Sequence, residues 1–407
     1  MKERGRVMVY QLTSVNKDTM KELNRMSVIE QIRKAKEISR SQISERTGLS
    51  MSSLTTIVNN LIEEELVYEI GKSKSRGGRR PVLLKFNADY GYVVGIKIGL
   101  NRLYFCRANL EAKIIRRETM EFSSSGTNEE INRLLVDGVR KVTDDCLPQE
   151  RFCGIGIATS GLVDREERTV VYSPIVGWDN YSFEHLSDEF GVPVLLDNDA
   201  NVFSLGYMWS QEGTPYGNFI GVLVGAGLGA GIVINGHVYR GEFGGAGELG
   251  HTVIQQEGTP CYCGQRGCLE MYASDAFAVS EGKRLVALRL PTKLLDVAEV
   301  TPDSVLQAAR EGDTYAQEIL IKLGENLGIG IRNIVNFVNP GAIIVGGESM
   351  DGREYLVQGL HRELSTNFFA KHKQDLNIHI CDKGTDAVLM GACALVAYDL
   401  FKVPIYV

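Results

Sequence analysis

Residues 247–270 read GELGHTVIQQEGTPCYCGQRGCLE, and the rest of the chain can be read outward from them. His251 is followed after nine residues by Cys261, then by Cys263 and Cys268. Three thiolates and one imidazole make a complete tetrahedral donor set for a structural Zn²⁺. A closed set leaves no coordination position for an activated water, so the expected role is to clamp a loop. Gly264 and Gly267 suit the sharp turns that a small chelate ring needs. The competing reading is a loop of free thiols, with His251 acting through hydrogen bonds alone. The other five cysteines (Cys106, Cys146, Cys153, Cys381 and Cys393) are scattered and read as ordinary reduced thiols. In a cytosolic protein, such a cluster points to metal before disulfide.

The surrounding sequence alternates strand and helix. Tyr92–Ile98, Cys153–Ala158, Val192–Leu196, Phe219–Val224 and Ala342–Val345 are apolar runs of the buried-strand type. Leu103–Asn109 and Ile114–Phe122 read as a hairpin around Glu111-Ala112. Thr127 and Glu130 have capping-box spacing for a helix carrying Ile131, Leu134, Leu135, Val142 and Cys146. Long helical patterns cover about 315–338 and 386–400. Glycine-rich turns come after several strands. The class is α/β, with loops at the strand ends placed to hold a ligand.

The chain has 407 residues, 44% hydrophobic and 23% charged, which suits a soluble protein of two or three domains. No run of about 18 apolar residues suggests a membrane span. The opening MKERGRVMVYQL lacks the apolar centre and cleavage site of a signal peptide, so a cytoplasmic location is expected. The net charge of -7 hides an asymmetry. Residues 1–88 carry 17 Lys+Arg against 10 Asp+Glu, and the remainder carries 27 against 41. A basic head on an acidic body suggests that the head alone meets a polyanion.

The head has its own pattern. Leu23, Met26, Ile29 and Ile32 suggest a first helix after a polar N-terminal arm. Ser39 and Gln42 have capping-box spacing for a second, running to about Thr47. Gly48-Leu49-Ser50 makes a tight turn, and Ser50 caps a third helix with an apolar stripe of Leu54, Ile57, Val58, Leu61 and Ile62. Its other face offers Ser52, Ser53, Thr55, Thr56 and Asn59, small polar groups able to reach base edges or phosphates. Between the β-prone runs Leu66–Ile70 and Val82–Phe86 lies KSKSRGGRRP, a hairpin tip bearing Arg76, Arg79 and Arg80. Helices, tight turn and basic hairpin in this order read as a winged helix-turn-helix for double-stranded DNA. The competing reading is a small helical bundle with a wet polar face. Asn87-Ala88-Asp89 marks the expected boundary.

Taken together, the head SRSQISERTGLSMSSLTTIVNNL, the wing GGRRP, the segment GELGHTVI and the cluster CYCGQRGCLE resemble the ROK family of repressors, open reading frames and kinases. The resemblance implies a two-lobed actin/sugar-kinase-like fold after the head. Residues 1–88 would form the DNA-binding domain and 89–407 the sensor. The sensor's small lobe would be about 89–196 plus a C-terminal helix at about 386–402, and its large lobe about 197–385. It also implies that Asn198, Asp199, Glu248, His251 and Glu270 hold sugar hydroxyls. Carboxylates and amides grip adjacent hydroxyls in pairs. His251 would have one ring nitrogen on zinc and the other toward the sugar.

The departures from the family pattern decide between enzyme and sensor. Where ROK kinases carry Asp-x-Gly-x-Thr, this chain has Lys97-Ile98-Gly99-Leu100-Asn101. The second phosphate loop, Gly-Thr-Gly in the kinases, reads Gly225-Ala226-Gly227. Replacing an acid with a cation removes support for Mg²⁺, and Ala226 has no hydroxyl. Gly346-Gly347 resembles a remnant of the nucleotide loop, and Asp199 a vestigial base. No ATP use is expected. The expectation is a sugar-controlled repressor binding an inverted repeat as a homodimer or dimer of dimers. A kinase with an added DNA-binding head is the alternative. The segment NKDTMKELNRMSVIEQIR and the approach to the wing look most like the family's xylose repressors. Glucose and N-acetylglucosamine are the other candidate effectors.

Overall fold

A computed structural model describes residues 17–72, 81–123, 126–147, 149–210, 216–348, 352–364 and 376–401. The chain divides into two compact units, Met1–Tyr90 with Tyr398–Val407, and Gly91–Ala397. The end of the C-terminal helix, expected to lie wholly with the sensor, thus groups with the first unit from Tyr398 onward.

The first unit begins with α1 (Lys17–Ala35), β1 (Ile38–Ser39), α2 (Arg40–Thr47) and α3 (Met51–Glu63), and then β2 (Val67–Lys72) and β3 (Val82–Phe86). The strands form a small antiparallel sheet in the order β1-β3-β2. Ser39 and Gln42 form the expected capping box at α2. Gly48 closes that helix at φ 72°, a left-handed backbone that glycine adopts without strain. Ser50 then accepts from the Ser53 N–H and starts α3. Leu54, Val58 and Leu61 turn into a core with Ile29, Ile32, Ile43, Leu84 and Phe86. Leu23 and Met26, assigned to the α1 stripe by three-residue steps, are only half-buried, and Val28 is buried instead. A repeat of three drifts around a helix of 3.6 residues per turn, so the buried face takes the four-residue step from Val28 to Ile32.

The second unit starts with β4 (Tyr92–Ile98), β5 (Arg102–Asn109), β6 (Ile114–Glu121), α4 (Asn128–Thr143) and β7 (Phe152–Thr159). Next come three short strands, β8 (Leu162–Asp164), β9 (Thr169–Ser173) and β10 (Trp178–Ser182), then α5 (Glu184–Phe190), β11 (Val194–Asn198) and α6 (Asp199–Trp209). The chain continues through β12 (Phe219–Val224), β13 (Leu228–Ile234), β14 (His237–Tyr239), α7 (Asp275–Ala287), α8 (Pro302–Arg310) and α9 (Thr314–Val338). It ends with β15 (Ala342–Gly346), α10 (Arg353–Leu364), β16 (Asn377–Ile380) and α11 (Thr385–Phe401).

Two five-stranded mixed sheets dominate this unit, ordered β11-β7-β4-β5-β6 and β14-β13-β12-β15-β16. In each, a parallel set (β11, β7, β4 or β12, β15, β16) continues into an antiparallel hairpin. Gly225-Ala226-Gly227 forms the turn of the β12–β13 hairpin, and Gly229 and Gly231 lie on its second arm. One core joins α4 to the first sheet through Phe105, Leu135, Val139 and Ile157. A second joins α7–α10 to the second sheet through Val222, Leu269, Leu327 and Val345. A third holds residues of both sheets, α6 and α11, among them Ala158, Phe203, Ile344 and Ala392. Here α6 and α11 meet backbone to backbone. A Cβ on Gly391 would lie 2.0 Å from the Val202 carbonyl oxygen, and one on Gly206 2.7 Å from the Gly391 Cα. The contact fixes α6, whose first residue is Asp199. Among the described residues, no helix is long and apolar enough to cross a membrane.

Candidate functional site

The C-terminal ends of β4, β11, β12 and β15 face one cleft. Asn198 ends β11 and caps α6, its Oδ1 accepting from the Ala200 N–H at 2.9 Å and the Asn201 N–H at 3.4 Å. Its Nδ2 donates to the Gly161 carbonyl at 3.1 Å. The carboxamide therefore shapes the cleft wall as well as lining it. Asp199, the first residue of α6, accepts from the Ala200 N–H at 2.9 Å. Loss of water pushes its carboxyl up to about 6, against the pull of Lys97 and the Ala200 N–H and with help from Glu348 and Glu248.

Lys97 is buried, and its Nζ forms an ion pair with the Glu348 carboxylate, at the end of the loop leaving β15. The same ammonium lies 5.5 Å from the centre of the Tyr104 ring, a cation–π distance. The Thr385 hydroxyl donates to Glu348 at 3.4 Å. Gly225–Gly227 borders the cleft as a tight turn, the Gly225 N–H donating to the Gly227 carbonyl at 3.0 Å. The loops that match phosphate loops in the kinases thus share this cleft with the Lys97–Glu348 ion pair. Ala226 and Gly347 line the same cleft, and Asn101 does not.

His251, Cys261, Cys263 and Cys268 lie together, one ligand atom of each within 4.8 Å of the others, a set able to hold a metal ion. The Nδ1 of His251 faces Cys261 Sγ at 3.6 Å. Its Nε2 faces away, toward Tyr262 at 3.4 Å and Glu248 at 3.9 Å. The ring thus presents one nitrogen to the thiols and one to the cleft. Burial, reinforced by the neighbouring thiols, pushes Cys268 up to about 12, and a bound cation would reverse that trend by stabilising the thiolates. Glu270 is buried and accepts from the Leu228 N–H at 2.9 Å. Glu248 is raised, chiefly by burial. All five residues expected to hold a sugar line the one cleft.

In the first unit, Ser52, Ser53, Thr55, Thr56 and Asn59 are all exposed on α3. The hydroxyls of Thr55 and Thr56 donate to the carbonyls of Met51 and Ser52 at 2.7 and 3.2 Å. Asn59 accepts from Arg40 at 3.5 Å, and Arg40 also pairs with Glu69 at 2.9 Å. Arg76, Arg79 and Arg80 lie outside the described residues.

Sequence reasoning missed two residues of the cleft and one buried carboxylate adjoining it in sequence. Glu348 directly follows Gly346-Gly347, but only the fold brings it to Lys97. Tyr262, between two metal-ligand positions, was passed over for the cysteines beside it. Asp197 is buried and held by Arg240 at 2.6 Å and Arg165 at 3.4 Å. Its place beside Asn198 and Asp199 in LDNDAN was the available signal.

Known proteins share this arrangement. The ROK family pattern matches residues 93–398. A protein named "Xylose repressor" from Caldicellulosiruptor bescii is 34% identical over 96% of this chain and 99% of its own length. A crystal structure of a ROK family transcriptional regulator, a homologue of the E. coli MLC protein, superposes with a TM-score of 0.80 at 26% identity, covering 94% of this chain and 97% of that one. A ROK family glucokinase from Streptomyces griseus, solved with glucose and AMPPNP, gives 0.66 at 26% identity and covers 75% of this chain and 99% of its own. With the family pattern running through both sheets and the cleft, and a relative aligned almost end to end, this chain belongs to the ROK family.

Proposed function

We propose that this protein is a DNA-binding transcription repressor of sugar-utilisation genes whose operator affinity is set by a monosaccharide bound in the cleft. The Lys97–Glu348 ion pair carries the reading. The cleft keeps groups that suit hydroxyls, while the position that serves Mg-nucleotide in a kinase holds a buried cation already neutralised by the chain's own carboxylate. A phosphoryl donor site of that composition lacks the metal support that transfer requires. The protein acts without catalysing a reaction.

The sugar is held by Asn198, Asp199, Glu248, His251 and Glu270, with the carboxylates accepting from ring hydroxyls. Asp199, in a kinase the group that would take the hydroxyl proton, serves as a ligand. Zn²⁺ would be held by His251, Cys261, Cys263 and Cys268, with His251 Nδ1 toward the thiols and Nε2 left for the sugar. When bound, it would supply rigidity to the loop 251–270. Xylose is the favoured effector, on the similarity to a protein named xylose repressor; glucose is the next.

The exposed polar face of α3 enters the major groove, and Arg76, Arg79 and Arg80 of the hairpin tip reach the backbone or minor groove. One head reads one half-site, so an inverted-repeat operator calls for a homodimer or dimer of dimers. Such a partner places the protein in the cytoplasm. Sugar lowers operator affinity by binding the DNA-free state more tightly.

Titration of a labelled operator fragment with and without D-xylose, D-glucose and N-acetylglucosamine tests the reading. Operator affinity should fall with one of them, and constant affinity throughout would reject sugar control. Sugar-dependent ADP release at about 1–100 per second, ordinary kinase rates, would restore the enzyme reading.

A further inference from the structure

Tyr262 stands between Cys261 and Cys263, half exposed and on the cleft wall. Its hydroxyl lies 3.4 Å from His251 Nε2, and its ring meets the imidazole edge-on at 5.3 Å. Glu270, on the same cleft wall, accepts from the Leu228 N–H at 2.9 Å. A group assigned to a sugar hydroxyl, the His251 imidazole, therefore already meets a hydroxyl from the chain itself. A phenol offers one donor and an acceptor, as a sugar hydroxyl does.

We propose that Tyr262 is an internal stand-in for the sugar, holding the hydrogen-bonding place of His251 Nε2 until an effector displaces it. The inference rests on the sugar reading of the cleft. The backbone beneath Tyr262 is pinned, since the Cys261 N–H donates to the Gln265 carbonyl at 2.8 Å and the Gly264 N–H to the Cys261 carbonyl at 3.0 Å. Displacement is therefore a side-chain rotation. Solvent on the exposed side, 47% of the residue, gives the ring a place to go.

The exchange is selective as well as inhibitory. A sugar with a hydroxyl at that place replaces what Tyr262 supplied. A sugar deoxygenated there leaves the imidazole without that partner, and such a group costs more than a missing contact. Tyr262 thus sets both the concentration of sugar needed and the hydroxyl pattern accepted.

Calorimetric titration of the full chain with D-xylose and D-glucose tests this on wild type, Tyr262→Phe and Tyr262→Ala, with zinc content measured in parallel. The expected result is binding about three- to ten-fold tighter in Tyr262→Phe, the value of roughly one net hydrogen bond lost by the competitor. Tyr262→Ala should also bind more tightly than wild type. Affinity unchanged or weakened in both variants overturns the stand-in while leaving the sugar reading intact. No binding of either sugar by the wild type overturns both.

Discussion

Lys97, on the middle strand of the first five-stranded sheet, forms an ion pair with Glu348, on the loop that leaves β15 of the second. The lysine is 8% exposed at its side chain and Glu348 38%, so the pair joins a desolvated cation to a partly wet anion. Removing the cation leaves Glu348 and Asp199 as neighbouring anions. Lys97→Ala should lower stability by about 1–3 kcal/mol, the usual cost of stranding a partly buried partner. Urea unfolding measures it. Adding Glu348→Ala should recover part of the loss, and strictly additive losses would show the two residues to be uncoupled.

Asp199 predicts a pH dependence. Its carboxyl sits at about 6 in the folded chain against an ordinary 3.8. Between these values the folded state binds more protons than the unfolded one, so stability falls as pH rises through the window. Above about 6 the penalty for ionising it is fully present. Asp199→Asn should flatten the decline between pH 4 and 6 and raise stability at neutral pH relative to wild type. An unaltered pH profile in that variant would remove Asp199 as its source. For sugar binding the direction reverses, because the ionised carboxylate is the better acceptor. Affinity should rise from pH 5 to 7.5, and calorimetry at the two values checks it.

Cys263 is the exposed member of the metal cluster, so its replacement should spare folding of the remainder. Cys263→Ser should lower bound zinc and weaken the sugar response together, since the clamp orients His251. Zinc content by atomic absorption, read beside operator titrations, checks both. Full zinc occupancy in the variant would contradict the ligand assignment.

The hairpin tip should reveal itself through salt. Arg79→Ala and Arg80→Ala should each weaken operator binding. If each contacts a phosphate, the slope of log affinity against log salt should shrink by about 0.9 per arginine. A slope equal to that of the wild type would take the tip out of the interface.

Gly391 has no room for a side chain, its Cβ position lying 2.0 Å from the Val202 carbonyl oxygen. Gly391→Ala should cost about 1–3 kcal/mol through overpacking, seen as a lower urea midpoint. It should also weaken sugar binding, because α6 carries Asp199. Wild-type stability would mean that α6 and α11 separate freely.

Local rules made much of this molecule legible before any folding was considered. The Ser39–Gln42 and Thr127–Glu130 capping boxes are closed by neighbours three residues apart, and both form. Gly48 turns where a left-handed residue was needed. The spacing of His251, Cys261, Cys263 and Cys268 implied a cluster because a four-ligand chelate is mostly local, and the four do converge. Long helices such as α9 and α11 were also readable, because their apolar pattern persists over several turns. The shorter stripe of α1 drifted from its face.

Other properties depend on residues that meet only in the folded chain. Lys97 and Glu348 are 251 positions apart, and no spacing rule links them. Whether Lys97 is a free cation awaiting an anion or a neutralised one depends on β4 and β15 ending at the same cleft. Whether Asp199 is an ordinary acid or one near pH 6 depends on how much water the two sheets exclude around it. Family and local geometry could be read from the chain's order alone, because they are written in neighbouring residues. The charge state of the cleft was set by packing, because ion pairing and desolvation depend on distances that exist only after the two sheets come together.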